Sequence, residues 1–278
     1  MKIGLSVHSG DFGFAMDGCY RFTWGRRAAR VMVDCICLPI LLVDSKDLIE
    51  LVTIEEAVQG ELGKVYSTGP EVAIGSDGKT YYIKGRNSPT AFAEIAGCRL
   101  AKLAGLLAPT ANVGRFGDGL YAAVESVPKA DRNIRPWLQP RFGQPDRIVN
   151  RSHLFEVIAV DTWLVNDDRN MGNLVGRGTG TGHIEVYMID FEKSRSLSNR
   201  PFINSGNVDP KRLWPTAELG GILRPMRPPR CPTAVLDRIR AISLDQLREA
   251  ILPVAEELPF VGWQAEQHRV PRTPGAKH

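Results

Sequence analysis

Asn166-Asp167-Asp168-Arg169-Asn170-Met171-Gly172-Asn173, together with the later Ile184-Glu185-Val186-Tyr187-Met188-Ile189-Asp190, is the stretch on which the reading of this chain turns. The segment from about Ser152 to Leu164 runs into it as an expected helix, apolar on nearly every side and therefore buried. Leu174-Val175 and Ile184–Ile189 read as two strands of a hairpin, closed through the glycine-rich residues 176–182. The returning strand would carry Asp190 back to the end where the Asp168–Asn173 loop sits. Two carboxylates and a carboxamide then converge, oxygen donors of the kind a hard divalent cation takes. Read alone, the loop is equally an Asx-rich turn; Asp190 either ends its strand or, the favoured reading after the apolar alternation Ile184, Val186, Met188, faces a metal. Asp161, inside the buried helix, needs partners there and is expected to accept hydrogen bonds from the loop. Arg169 either binds an anion or braces the loop backbone.

Upstream, Glu71–Ile74 and Thr80–Ile83 are β-prone and are separated by Gly75-Ser76-Asp77-Gly78, a strong hairpin turn signal. Lys84 ends the second strand. Ser88-Pro89 opens a helix, with Ser as N-cap and Pro in the first turn. Phe92, Ile95, Ala96, Leu100, Leu103 and Leu107 keep helical spacing, and Glu94 lies among them. Asn112–Val113 and Leu120–Val124 flank the turn Gly117-Asp118-Gly119 as further short strands.

Spacing sharpens the reading. An Asp followed five residues later by Asn, here Asp168 and Asn173, is the interval of the protein-kinase catalytic loop H-R-D-x-x-x-x-N. Asp190-Phe191-Glu192 stands where D-F-G stands, and Lys84 precedes a helix carrying Glu94, the order of a kinase strand lysine and its helix glutamate. The N-D-D-R-N-M-G-N-L segment, the I-D-F-E that follows, and Y-Y-I-K with A-F-A-E-I-A resemble HipA-like kinases, bacterial serine/threonine kinase relatives with a distantly kinase-like fold. The resemblance spans roughly Val52 to Phe260 and is most specific over residues 161–191. It implies that Lys84 contacts ATP phosphates, Glu94 orients Lys84, Asp168 is the catalytic base, and Asn173 and Asp190 hold Mg²⁺. Glu125 and Val127, on the strand around Ala123–Val127, would meet adenine through backbone groups. Ser67, Thr68 and Gly69, within Gly63–Gly69, would cover the phosphates. A G-x-G-x-x-G loop is absent, and Glu192 replaces the glycine of D-F-G.

Composition bounds the rest. With 278 residues, 43% of them hydrophobic, the chain can build a sizeable core. A net charge of +4 suits a phosphate-bearing ligand but lacks the dense basic footprint of a dedicated nucleic-acid binder. Five cysteines without a C-x-x-C support neither a disulfide framework nor a zinc site, which suits a cytoplasmic protein. The longest apolar run, Val31–Val43, is broken by Asp34 and Pro39 and falls short of the roughly 18 residues of a membrane span. Ser243 with Gln246 forms a capping box for a helix that Pro253 should end or kink.

The expected fold is α+β and bilobal, protein-kinase-like: a small β-rich N-lobe with one helix (49–126) and a larger, mainly helical C-lobe (127–262). Residues 1–48 read as an N-terminal extension and 263–278 as a flexible tail. The expected activity is an ATP- and Mg²⁺-dependent kinase acting on a Ser or Thr of a protein substrate, and the resemblance adds an antitoxin-like partner. A small-molecule or lipid kinase, or a nucleotide-binding pseudokinase scaffold, are the alternatives.

Overall fold

The computed structural model describes residues 48–56, 71–128, 130–131, 134, 137, 145–166, 168–194, 197 and 233–258. The fold mixes strands and helices, β-rich first and helical later. In chain order the elements are β1 (Leu48–Glu56), β2 (Glu71–Gly75), β3 (Thr80–Lys84), α1 (Pro89–Leu103), β4 (Ala111–Phe116), β5 (Gly119–Glu125) and β6 (Ala130–Asp131). After them come α2 (His153–Leu164), β7 (Leu174–Gly178), β8 (Ile184–Met188), α3 (Thr233–Ala241) and α4 (Leu244–Glu257).

The β2–β3 turn forms as its residues dictate. Gly78 takes φ 76°, and Asp77 accepts the Lys79 N–H at 3.0 Å and the Tyr81 hydroxyl at 2.7 Å. The β4–β5 hairpin likewise turns at Gly117, with φ 58°. Sequence reading missed how the strands join. β1 pairs antiparallel with β2 and parallel with β4, closing the small β-rich part into a five-stranded barrel in the order β1-β2-β3-β5-β4. Closure engages both edges of the sheet, which otherwise would present unpaired backbone groups.

Alternation along the strands divides the burial. Leu51, Ala73, Tyr81, Ile83, Tyr121 and Ala123 fill the barrel, whereas Val113, Ala122 and Val124 face the main core. That core runs from α1 through α2 and the β7–β8 hairpin to α3 and α4. Arg238 on α3 ties its parts together, donating to the Ala104 carbonyl after α1 at 2.7 Å and to Glu156 on α2 at 2.6 Å.

Two local expectations need correcting. Ser88 occupies the N-cap position of α1 in extended conformation, but its hydroxyl meets Thr90 Oγ1 at 2.6 Å and caps no backbone N–H. The Ser243–Gln246 capping box is present, yet Pro253 does not end the helix. α4 continues to Glu257 because Val254 and Leu258, beyond the proline, are buried in the core. The expected hairpin in the second half forms as β7 and β8, and the short β6 adds a third strand in the order β6-β7-β8.

Among the described residues no helix is long and apolar enough to cross a membrane. Residues 1–47 and the tail 263–278 lie outside the described residues, as do Ser67, Thr68 and Gly69.

Candidate active site

Lys84 leaves the barrel at the end of β3, paired across the sheet with Ala122 of β5. Its ammonium lies 2.8 Å from Asp190 Oδ1 and 3.4 Å from Glu94 Oε2. Burial opposes the lysine charge, but Glu94 and Asp190 more than offset it, and the group is held well above its ordinary value. Glu94 is fully buried on α1. It accepts the backbone N–H of Asp190 at 3.2 Å and of Phe191 at 2.7 Å, so one carboxylate holds both the lysine and the turn after β8. Burial pushes the Glu94 carboxyl up and Asp190 adds to the shift, while Lys84 works against it.

The turn is strained. Asp190 has φ 66°, the left-handed region that few residues other than glycine adopt, and Asp is among the more tolerant. Phe191 behind it is completely buried and packs against Gly97 of α1. A Cβ on Gly97 would lie 2.6 Å from Phe191 Cγ, so only glycine lets helix and turn approach this closely.

The Asp168–Asn173 loop is built around Arg169. The helix before it ends in a left-handed Val165, φ 52°, and the Asn166 N–H returns to the Asp161 carbonyl at 2.8 Å. Arg169 is 1% exposed and grips Asp161 at two points, Nε to Oδ2 at 2.9 Å and Nη2 to Oδ1 at 3.0 Å. Its Nη1 donates to the carbonyls of Asn173, at 2.9 Å, and Ile189, and the guanidinium lies 4.8 Å from the centre of the Phe191 ring. Burial works against this charge, but Asp161 overrides it and raises the guanidinium above its usual value. Arg169 therefore braces the loop, and Asp161 receives the contacts expected of it, including Asn166 Nδ2 at 3.0 Å. One cation joins α2, the loop and the end of β8.

Asn173 commits its amide nitrogen to the Asp168 carbonyl at 2.8 Å, so its side-chain oxygen is the atom that could hold a cation. The Ile189 N–H donates to the Asn173 carbonyl at 3.1 Å, placing the loop directly beside the strand end that precedes Asp190. Asp168 Oδ2 accepts from Lys193 Nζ at 2.8 Å. No spacing in the sequence marks Lys193; the only local signal is its place three residues after Asp190.

Glu125 ends β5, paired with Tyr81 of β3, and Val127 lies beyond it, so the strand stops two residues short of the expected Ala123–Val127. The Glu125 N–H is engaged by the Thr110 carbonyl at 2.8 Å, its carboxylate by Lys79 at 3.1 Å, and the Val127 carbonyl accepts from Ala130 at 3.3 Å. The glycine-rich connection sits at the opposite end of the β7–β8 hairpin, where Gly178 pairs with Ile184, while Leu174 pairs with Met188 next to the loop. No group of three or more His, Cys, Asp or Glu suited to a metal occurs among the described residues.

No protein-family model matches this chain, and no curated protein matches it. Among solved structures it is similar to the proinflammatory kinase CtkA of Helicobacter pylori, at 14% identity and a TM-score of 0.37, over 76% of this chain and 98% of that one.

Proposed function

We propose that this chain is an ATP- and Mg²⁺-dependent kinase of the HipA-like type that phosphorylates a serine or threonine of a protein substrate. The observation that carries the reading is the three-way contact of Lys84 with Glu94 and Asp190, tied through Arg169 to the loop bearing Asp168 and Asn173. A lysine held between two carboxylates at a strained turn is a cation prepared to meet an anionic ligand.

The donor set fits magnesium. Mg²⁺ is commonly held by one or two carboxylates together with substrate phosphates rather than by an all-protein cage. Asp190 and the Asn173 side-chain oxygen supply that kind of incomplete shell. Around them Glu94, Asp161, Asp168, Asp190 and Glu192 outnumber the cations Lys84, Arg169 and Lys193, so a bare triphosphate would meet an excess of negative charge. A divalent ion would supply charge neutralisation for the phosphates at this point.

The residues divide the work. Lys84 binds phosphate oxygens and is oriented by Glu94. Asp168 accepts the proton of the acceptor hydroxyl. Asn173 and Asp190 hold the ion, and Arg169 keeps both segments in register. Adenine would lie along β5 near Glu125 and Val127; since the Glu125 N–H is already engaged, its contact there would use the carbonyl. Catalysis of this class is mainly placement and charge stabilisation, which is what a braced constellation provides.

Incubation with γ-labelled ATP and Mg²⁺ tests the reading, with label followed on the protein itself and on a cell extract. Label is expected on protein and is expected to vanish in Asp168→Ala while the variant stays folded. Label running with small molecules or lipids would move the acceptor to those classes. Nucleotide binding with no transfer, unchanged in Asp168→Ala, would make the chain a pseudokinase.

A further inference from the structure

The contact between Lys193 and Asp168 is positioned by two backbone contacts of Ser194. After Asp190 the chain turns back, with the Ser194 N–H donating to the Phe191 carbonyl at 2.9 Å. Ser194 then forms an antiparallel bridge with Asn166, at the start of the loop that carries Asp168. Backbone pairing on one side of the loop thus brings Lys193 to Asp168 Oδ2 at 2.8 Å. The loop's own cation cannot take this part, because Arg169 is buried and turned towards Asp161. Lys193 and Asp168 are each about one-third exposed, at 37% and 32%, so the pair lies where a substrate can reach it.

We infer that Lys193 is the positioning residue of Asp168, holding one carboxylate oxygen so that the other is presented to the acceptor hydroxyl. The inference rests on the kinase reading and deepens it. In the transfer, a bond forms between the acceptor oxygen and the γ-phosphorus as the bond to the β,γ-bridging oxygen breaks. The bridging oxygen leaves with the electron pair as part of ADP, and the hydroxyl proton passes to the free oxygen of Asp168. A freely rotating carboxylate would meet that hydroxyl in the right orientation only part of the time, and small misplacements of reacting groups can lower rates about a hundredfold. Because Lys193 follows Asp190 by three residues, the segment that contributes a metal ligand also orients the base.

The test compares wild type, Lys193→Ala and Lys193→Arg in labelling of the protein by γ-labelled ATP with Mg²⁺, alongside affinity for a fluorescent ATP analogue. Lys193→Ala is expected to lower kcat about 10- to 100-fold with KM for MgATP and analogue affinity within about twofold. Lys193→Arg is expected to restore most of the rate, since a guanidinium also donates to a carboxylate. An unchanged or raised kcat in Lys193→Ala, or a loss confined to KM, overturns the role; a raised rate would mean that the pair obstructs Asp168. Failure of the wild type to label anything while binding the analogue overturns the kinase reading itself, a result distinct from equal labelling by wild type and Lys193→Ala.

Discussion

Arg169 and Asp161 meet through two hydrogen bonds, at 2.9 and 3.0 Å, with side chains only 1% and 2% exposed. A sealed pair of this kind contributes little relative to an apolar replacement, but removing one partner leaves a buried charge uncompensated. Its value lies in geometry: the fork that engages Asp161 through Nε and Nη2 leaves Nη1 for the carbonyls of Asn173 and Ile189. Helix, loop and strand end are thereby set relative to one another.

Asp161→Ala is expected to destabilise the protein by about 3–5 kcal/mol, read from urea unfolding. Arg169→Lys should recover little of the native arrangement, since an ammonium cannot reproduce the planar fork. Near-native stability in both variants would show that the pair does not organise the loop.

Lys84→Met should leave Glu94 buried without its cation and lower stability by about 1–3 kcal/mol. Adding Glu94→Gln in the same chain should recover much of that loss without restoring binding of a fluorescent ATP analogue. Recovery of nucleotide binding in the double variant would remove Lys84 from the site. Asp190→Ala should abolish the dependence of analogue binding on Mg²⁺, measured by titration with and without the ion.

Gly97→Ala places a methyl group against Phe191, which has no room to move in the core. Overpacking of this kind costs about 1–3 kcal/mol. Because Phe191 follows Asp190 directly, label transfer should fall as well. A variant of unchanged unfolding midpoint and rate would mean that the turn shifts freely.

His153 begins α2 half-buried, and burial lowers its pKa from the ordinary 6.5. Below pH 6.5 the unfolded chain takes up a proton that the folded chain resists, so stability is present above that pH and declines as pH falls towards the folded-state pKa. The Tm of wild type should therefore drop more between pH 7 and 5.5 than that of His153→Gln. Parallel pH profiles would assign the acid sensitivity to other groups.

What the amino-acid string determined by itself was local. The turns at Gly75–Gly78 and Gly117–Gly119, the start of α1 at Pro89, the buried α2 and the capping box at Ser243 follow from φ preferences, missing donors and apolar periodicity within a few residues. Asp168, Asn173, Asp190, Lys84 and Glu94 stood out through spacing and order, and the loop was legible beside its strand because a hairpin must return. Other features were decided only by tertiary structure: the parallel β1–β4 pairing that closes the barrel, the continuation of α4 past Pro253, the burial of Glu94, the inward turn of Arg169 and the arrival of Lys193 at Asp168. Apart from Arg169, whose partner Asp161 is eight residues away, each depends on partners far apart in the chain, where edge pairing, core burial and the need to compensate a buried charge outweigh local preference. No window of neighbouring residues contains that information.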